Sequence, residues 1–126
     1  MISSVRLVGV DQNDDVFVVG LAQESDGVGA ALLFQIPVDA DLIEDTDTYC
    51  TTDDRHATVY GGVRSVTIDG AELHLGWSLE AAEVLGSGET TSLELMVPGS
   101  QVQALRAGLR RVFTYGVASE HPELNL

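Results

Sequence analysis

The chain has 126 residues, 44% of them apolar, and carries 20 Asp and Glu against six Arg and no Lys, for a net charge of −14. One domain of this size buries roughly two-thirds of its unfolded surface, so its core needs neither metal nor disulfide, and the apolar share argues against disorder. The acidic field repels phosphate backbones, which argues against nucleic acid as a partner, and it would steer basic proteins toward the chain.

The same charge has a bland reading. Arginine without lysine is what GC-rich coding produces, and an acid excess also serves solubility or a salty cytoplasm. Cys50 is the only cysteine, so no intrachain disulfide can form. The N-terminus lacks a basic region followed by a long apolar run, and no stretch approaches the ~20 apolar residues that span a bilayer. These features lead us to expect a cytoplasmic protein without a membrane partner.

Residues 2–10 and 16–21 are β-branched-rich runs joined by the turn-forming Asp11-Gln12-Asn13-Asp14-Asp15, which reads as a hairpin. Residues 28–36 are almost continuously apolar, the pattern of a central strand covered on both faces. Residues 37–47 are acidic and weakly periodic, and read as a surface loop or short helical turn. Short strands are expected at 48–52, 57–60, 63–68 and 72–77, the last two joined through Asp69-Gly70. Ser78 can cap a short helix over 79–85 that Gly86 ends, with Leu79, Ala82 and Leu85 on one face.

A strand over 91–97 then breaks at Pro98-Gly99. Ser100-Gln101-Val102-Gln103 matches a capping box. It opens a helix whose apolar stripe is Val102, Leu105, Leu109, Val112 and Phe113, with Arg106, Arg110 and Arg111 in its middle and last turns and Gly116 as its stop. The expected fold is one α+β domain over residues 1–116, followed by a loosely held tail at 117–126. Its sheet should be mostly antiparallel and strongly curved, of about six to eight strands, with the short helix and the C-terminal amphipathic helix packed on it.

Catalytic and metal-binding patterns are weak. His56, His74 and His121 lie far apart and Cys50 is alone, so a zinc set of three or four ligands is not assembled, and no cofactor is expected. Asp39-Ala40-Asp41 and Asp45-Thr46-Asp47 are fragments of a calcium loop without its glycine and terminal glutamate. Cys50 and His56 could pair as nucleophile and base across a turn, although an in-strand Cys is more often a small buried hydrophobe. Tyr49 and Tyr60 read either as core aromatics with a bonded hydroxyl or as exposed anchors for a partner. Gly61-Gly62 has no Lys and no Ser/Thr helix beside it, so it reads as a turn or bulge needing positive φ, not a phosphate loop. Asp53-Asp54-Arg55-His56 reads as a solvated loop tip, a place that also carries binding determinants. The carboxylates of Asp39, Asp41, Glu44, Asp45 and Asp47 lie on one side of Tyr49, and Asp53 and Asp54 on the other; together with Tyr49 they are the candidate partner surface.

Several pieces in order carry a family likeness: Val18-Val19-Gly20-Leu21-Ala22, Phe34-Gln35, Asp47-Thr48-Tyr49-Cys50 and Tyr60-Gly61-Gly62-Val63. They continue through Leu73-His74-Leu75, Ala81-Ala82-Glu83-Val84-Leu85-Gly86 and Leu105 to Val112. In order and spacing the chain resembles immunity protein family ten, small bacterial proteins that neutralise polymorphic toxins. The resemblance implies a cytoplasmic α+β protein that binds and inactivates the toxin encoded beside it, without catalysis of its own. Tyr49, Cys50, Tyr60, Gly61 and Gly62 are then fold-holding motif residues. Specificity would sit where no family pattern is visible, in residues 37–47 and after Phe113. A basic nuclease is one toxin that a −14 protein would complement, and a homodimer is also open. Two alternatives stand beside this reading. One is a small enzyme or ligand-binding domain built on Tyr49, Cys50 and His56; the other is a regulatory protein-interaction module.

Overall fold

The computed structural model describes residues 2–38 and 48–126. In chain order the elements are β1 (Ser4–Val5), β2 (Leu7–Gln12), β3 (Val16–Ala22), β4 (Ala31–Pro37), β5 (Cys50–Asp53), β6 (Thr58–Tyr60), β7 (Val63–Asp69) and β8 (Glu72–Trp77). Then follow α1 (Leu79–Leu85), β9 (Thr90–Leu95), α2 (Gly99–Phe113), a 3-10 turn (Ala118–Glu120) and β10 (Glu123–Asn125). The fold is α+β, as expected, but its strands form two five-stranded sheets in place of one sheet of six to eight strands. One sheet runs β2-β3-β4-β5-β6 and is antiparallel throughout. The other runs β1-β9-β8-β7-β10, with parallel pairs at both edges.

The division follows from two points where the chain leaves one sheet for the other. Arg6 separates β1 from β2, and Gly61-Gly62 separate β6 from β7. At the second point both glycines have positive φ, 69° and 84°, which turns the strand sharply without a Cβ penalty.

Local chemistry accounts for the turns. The Asn13 side-chain oxygen accepts from the amides of Asp15 and Val16, closing the β2–β3 hairpin. The β7–β8 connection is Gly70-Ala71, with Gly70 at φ 60° and Asp69 paired to Glu72, so the hairpin forms one residue later than Asp69-Gly70 suggests. β4 starts at Ala31 because Gly27 and Gly29 take positive φ and leave Val28 69% exposed. It buries one face only (Leu32, Phe34 and Ile36), while Leu33 looks outward, so the expectation of cover on both faces does not hold.

Ser78 caps α1 through the Ala81 amide, and Gly86 ends it in the left-handed region. Its buried residues are Ala81, Ala82 and Leu85, whereas Leu79, expected in the core, is 68% exposed. The capping box is absent from α2: Pro98 is the N-cap and no side chain caps the helix there. α2 stops at Phe113, three residues before Gly116.

The core lies between α2 and the antiparallel sheet and continues between the sheets. Leu105, Leu109, Val112 and Phe113 are fully buried, and α2 rests on β2, β3 and β4. Gly108 allows this close approach, because a Cβ there would lie 2.8 Å from Val19 Cγ2. The Phe113 ring meets Phe34 and Tyr49 edge-on, at 5.3 Å and 4.9 Å. Arg111 lies over the Phe17 ring at 4.1 Å.

Residues 117–126, expected to be loose, are tied down instead. Glu123, Leu124 and Asn125 pair in parallel with Ser65, Val66 and Thr67, and Leu124 packs on the core.

Candidate functional site at the double-glycine corner

Where β6 passes into β7, four segments converge on a rigid corner. The Gly61 amide donates to the Tyr49 carbonyl at 2.9 Å, and the Ser78 amide donates to the Gly62 carbonyl at 2.7 Å. The Gly62 amide donates to Glu120 Oε2 at 3.0 Å. The Tyr49 hydroxyl donates to the Glu120 carbonyl at 2.8 Å and accepts from the Val63 amide at 3.2 Å. Tyr49 is fully buried, and burial pushes its pKa up to about 12; the nearby Glu120 carboxylate adds to the rise, and the hydrogen bond at Val63 opposes it. One phenol thus joins β5, β7 and the C-terminal turn.

A groove of about 530 Å³ opens above this corner, between β6, α1 and Glu120. Tyr60, Leu79 and Val84 project into it at 75%, 68% and 47% exposure. Arg64, Glu80 and Glu120 supply its charges. Sequence reasoning missed Leu79, Val84 and Glu120 as groove residues. A signal was available in α1, where five of seven residues are apolar, more than one narrow stripe can bury.

The other sequence-derived candidates separate. Tyr49 is in the core and cannot meet a partner as an exposed anchor. Asp53 is buried too, so its expected place on a partner surface fails: its carboxylate accepts from the amides of Arg55 and Ala57 at 2.9 Å and 3.0 Å and pairs with the Arg55 guanidinium at 3.2 Å. Burial would raise the Asp53 pKa, but these three bonds together outweigh it and hold the carboxyl below its ordinary range. Arg55 also donates to the Leu85 carbonyl at 2.8 Å, placing its charge at the C-terminus of α1. The loop tip is therefore largely structural. Asp54 remains exposed, with one carboxylate oxygen accepting from the Ala31 amide. Asp39, Asp41, Glu44, Asp45 and Asp47 lie outside the described residues.

Cys50 and His56 are not brought together. The β5–β6 register sets Cys50 opposite Tyr60, at the end of the hairpin away from the loop that holds His56. Burial also pushes the Cys50 thiol pKa up, which lowers its thiolate fraction. Among the described residues, no three His, Cys, Asp or Glu side chains gather as a metal site requires. Among the same residues, no helix is long and apolar enough to cross a membrane.

The sequence profile of immunity protein 10 matches residues 4–103. The chain belongs to the immunity protein 10 family. Membership supports a role in immunity against a toxin. The match takes in β1 through β9, with Tyr49, Cys50, Tyr60, Gly61 and Gly62, and ends in the second turn of α2. Most of α2 and the Glu120 turn lie beyond it. No curated protein and no solved structure matches the chain.

Proposed function

We propose that this chain is a non-catalytic inhibitor that binds and neutralises the polymorphic toxin encoded beside it, in the cytoplasm of the producing cell. The family match carries the reading. Two properties of the chain agree with it. Its net charge of −14 suits a target with a basic cleft, such as a nuclease, which it would block by covering the cleft or the approach to it. Its one thiol is partly buried, with a raised pKa, and stands apart from His56, a poor arrangement for a nucleophile. The carboxylates of Asp39, Asp41, Glu44, Asp45 and Asp47, with Asp54, contribute to the steering field. Neutralising Asp39, Asp41, Glu44 and Asp45 should slow association and flatten its salt dependence more than neutralising Asp11, Asp14 and Asp15.

The test is co-expression with the C-terminal domain of the neighbouring gene's product, scored as rescue of growth. Cys50→Ala should protect as well as the wild type. Failure of the wild-type chain to rescue growth overturns the proposal. Loss of rescue in a folded Cys50→Ala variant overturns its non-catalytic part.

A further inference from the structure

We infer that the toxin docks in the groove above the double-glycine corner, presenting to it an apolar side chain flanked by basic residues. This inference rests on the toxin-immunity reading and adds to it the surface and the chemistry of its occupant. Eight large hydrophobic residues are exposed among those described, and three of them, Tyr60, Leu79 and Val84, converge on this one groove. Interface hot spots are enriched in tyrosine and arginine, and Tyr60 and Arg64 supply both here. The walls are held before any partner arrives. Glu120 receives bonds from Tyr49 and Gly62, and Ser78 bonds Gly62, so β6, α1 and the C-terminal turn cannot shift separately without breaking them. A partner that enters a fixed groove loses little to ordering it.

Charge selects the occupant. Glu80 and Glu120 line the groove and Glu83 is exposed on the same helix, against Arg64 as the groove's cation. The acidic rim favours cations around an inserted apolar side chain, and the Arg64 guanidinium is placed to donate to a backbone carbonyl of the partner. Two other apolar depressions are seen among the described residues, one around Leu7, Gly9, Gly20 and Leu33 and one around Val16, Ile36, Cys50 and Tyr60. Neither has a charged lining residue to complement a basic surface. Because Tyr60 borders the second as well as the groove, Leu79→Ala decides between them.

The probe is the C-terminal domain of the neighbouring gene's product, titrated against the purified chain by calorimetry. Tyr60→Ala and Leu79→Ala should each raise Kd at least tenfold. Glu80→Lys should raise it about tenfold at low salt and less at high salt. Val28→Ala and Leu33→Ala, on other exposed surface, should stay within about threefold. Leu79 sits on a separate element from Tyr60, so it repeats the test if Tyr60→Ala melts early. Groove variants that bind like the wild type while the wild type binds tightly overturn the groove and leave the toxin reading intact. A wild-type dimer that Tyr60→Ala converts to monomer, with toxin affinity unchanged, assigns the groove to a second copy and also overturns it. Absence of binding and of growth rescue by the wild-type chain refutes the toxin reading itself.

Discussion

Tyr49→Phe isolates the bond that ties the C-terminal segment to the sheets. Phenylalanine keeps the edge-on contact with Phe113 and removes only the hydroxyl. The amide of Val63, a residue 1% exposed, and the Glu120 carbonyl then lose their partner, and the Val63 carbonyl loses a longer contact at 3.3 Å. A buried amide left unmet costs about 1–3 kcal/mol, and a carbonyl that can turn to water costs less. Relief from burying the hydroxyl offsets part of this, so the net loss should be about 1–3 kcal/mol. For a chain of this size that lowers Tm by roughly 4–12 °C.

The alkaline limb carries a second signature. The Tyr49 pKa is about 12 in the folded protein and about 10 when unfolded, so between these values the unfolded chain releases a proton that the folded chain keeps. Stability from this group is complete below about pH 10 and is lost as pH rises toward 12, by about 2–3 kcal/mol in all. The Phe variant lacks that slope. Urea titrations across pH, with amide exchange on Glu123–Asn125, measure both effects. A loss under about 0.5 kcal/mol with exchange of the last strand unchanged would refute this account of the corner.

Three further substitutions test the frame. Asp53→Asn should cost about 1–2 kcal/mol near neutrality. Because the Asp53 carboxyl is held below its ordinary range, wild-type stability should fall as pH drops below about 4, and denaturant titrations should find a flatter acid limb in the variant. Gly62→Ala sets a Cβ 2.8 Å from that of Ala81 at φ 84° and should cost about 2–4 kcal/mol, whereas Gly70→Ala, with open space around it, should cost about 1–2 in the same melts. Leu109→Ala should cost about 2–5 kcal/mol and the exposed Arg110→Ala no more than about 1, and equal small losses would contradict the packing of α2.

The parts of the fold that were legible in the sequence are those decided by near neighbours. Ser78 and Gly86 bracket α1 because a cap and a left-handed stop act within one turn, and strict alternation from Glu72 to Trp77 marks β8 unaided. The division into two sheets was not legible. It depends on the chain changing sheet at Arg6 and at Gly61-Gly62, and on pairings as distant as Ser4 with Glu94, and contacts at that separation leave no periodic trace. Residues 2–10 therefore read as one strand, although Arg6 divides them between sheets.

The candidate site was half visible. Gly61-Gly62 signalled positive φ correctly. Leu79 at three-residue spacing from Ala82 and Leu85 looked like core, but α1 rests on β6 and β8 through Ala81, Ala82 and Leu85, which leaves Leu79 facing outward. Asp53 looked solvated because a carboxylate folded back onto its own loop cannot be told from an exposed one by composition alone.

The three-residue strand at the C-terminal end also guards an edge. Without Glu123–Asn125, the seven-residue β7 would present a row of unpaired amides and carbonyls, an open template for another chain. A proteolytic nick between Phe113 and Glu123 would leave α2 and most of the core in place, yet free that edge for aggregation. The Tyr49–Glu120 bond thus acts as a latch against self-adhesion as well as a brace for the corner.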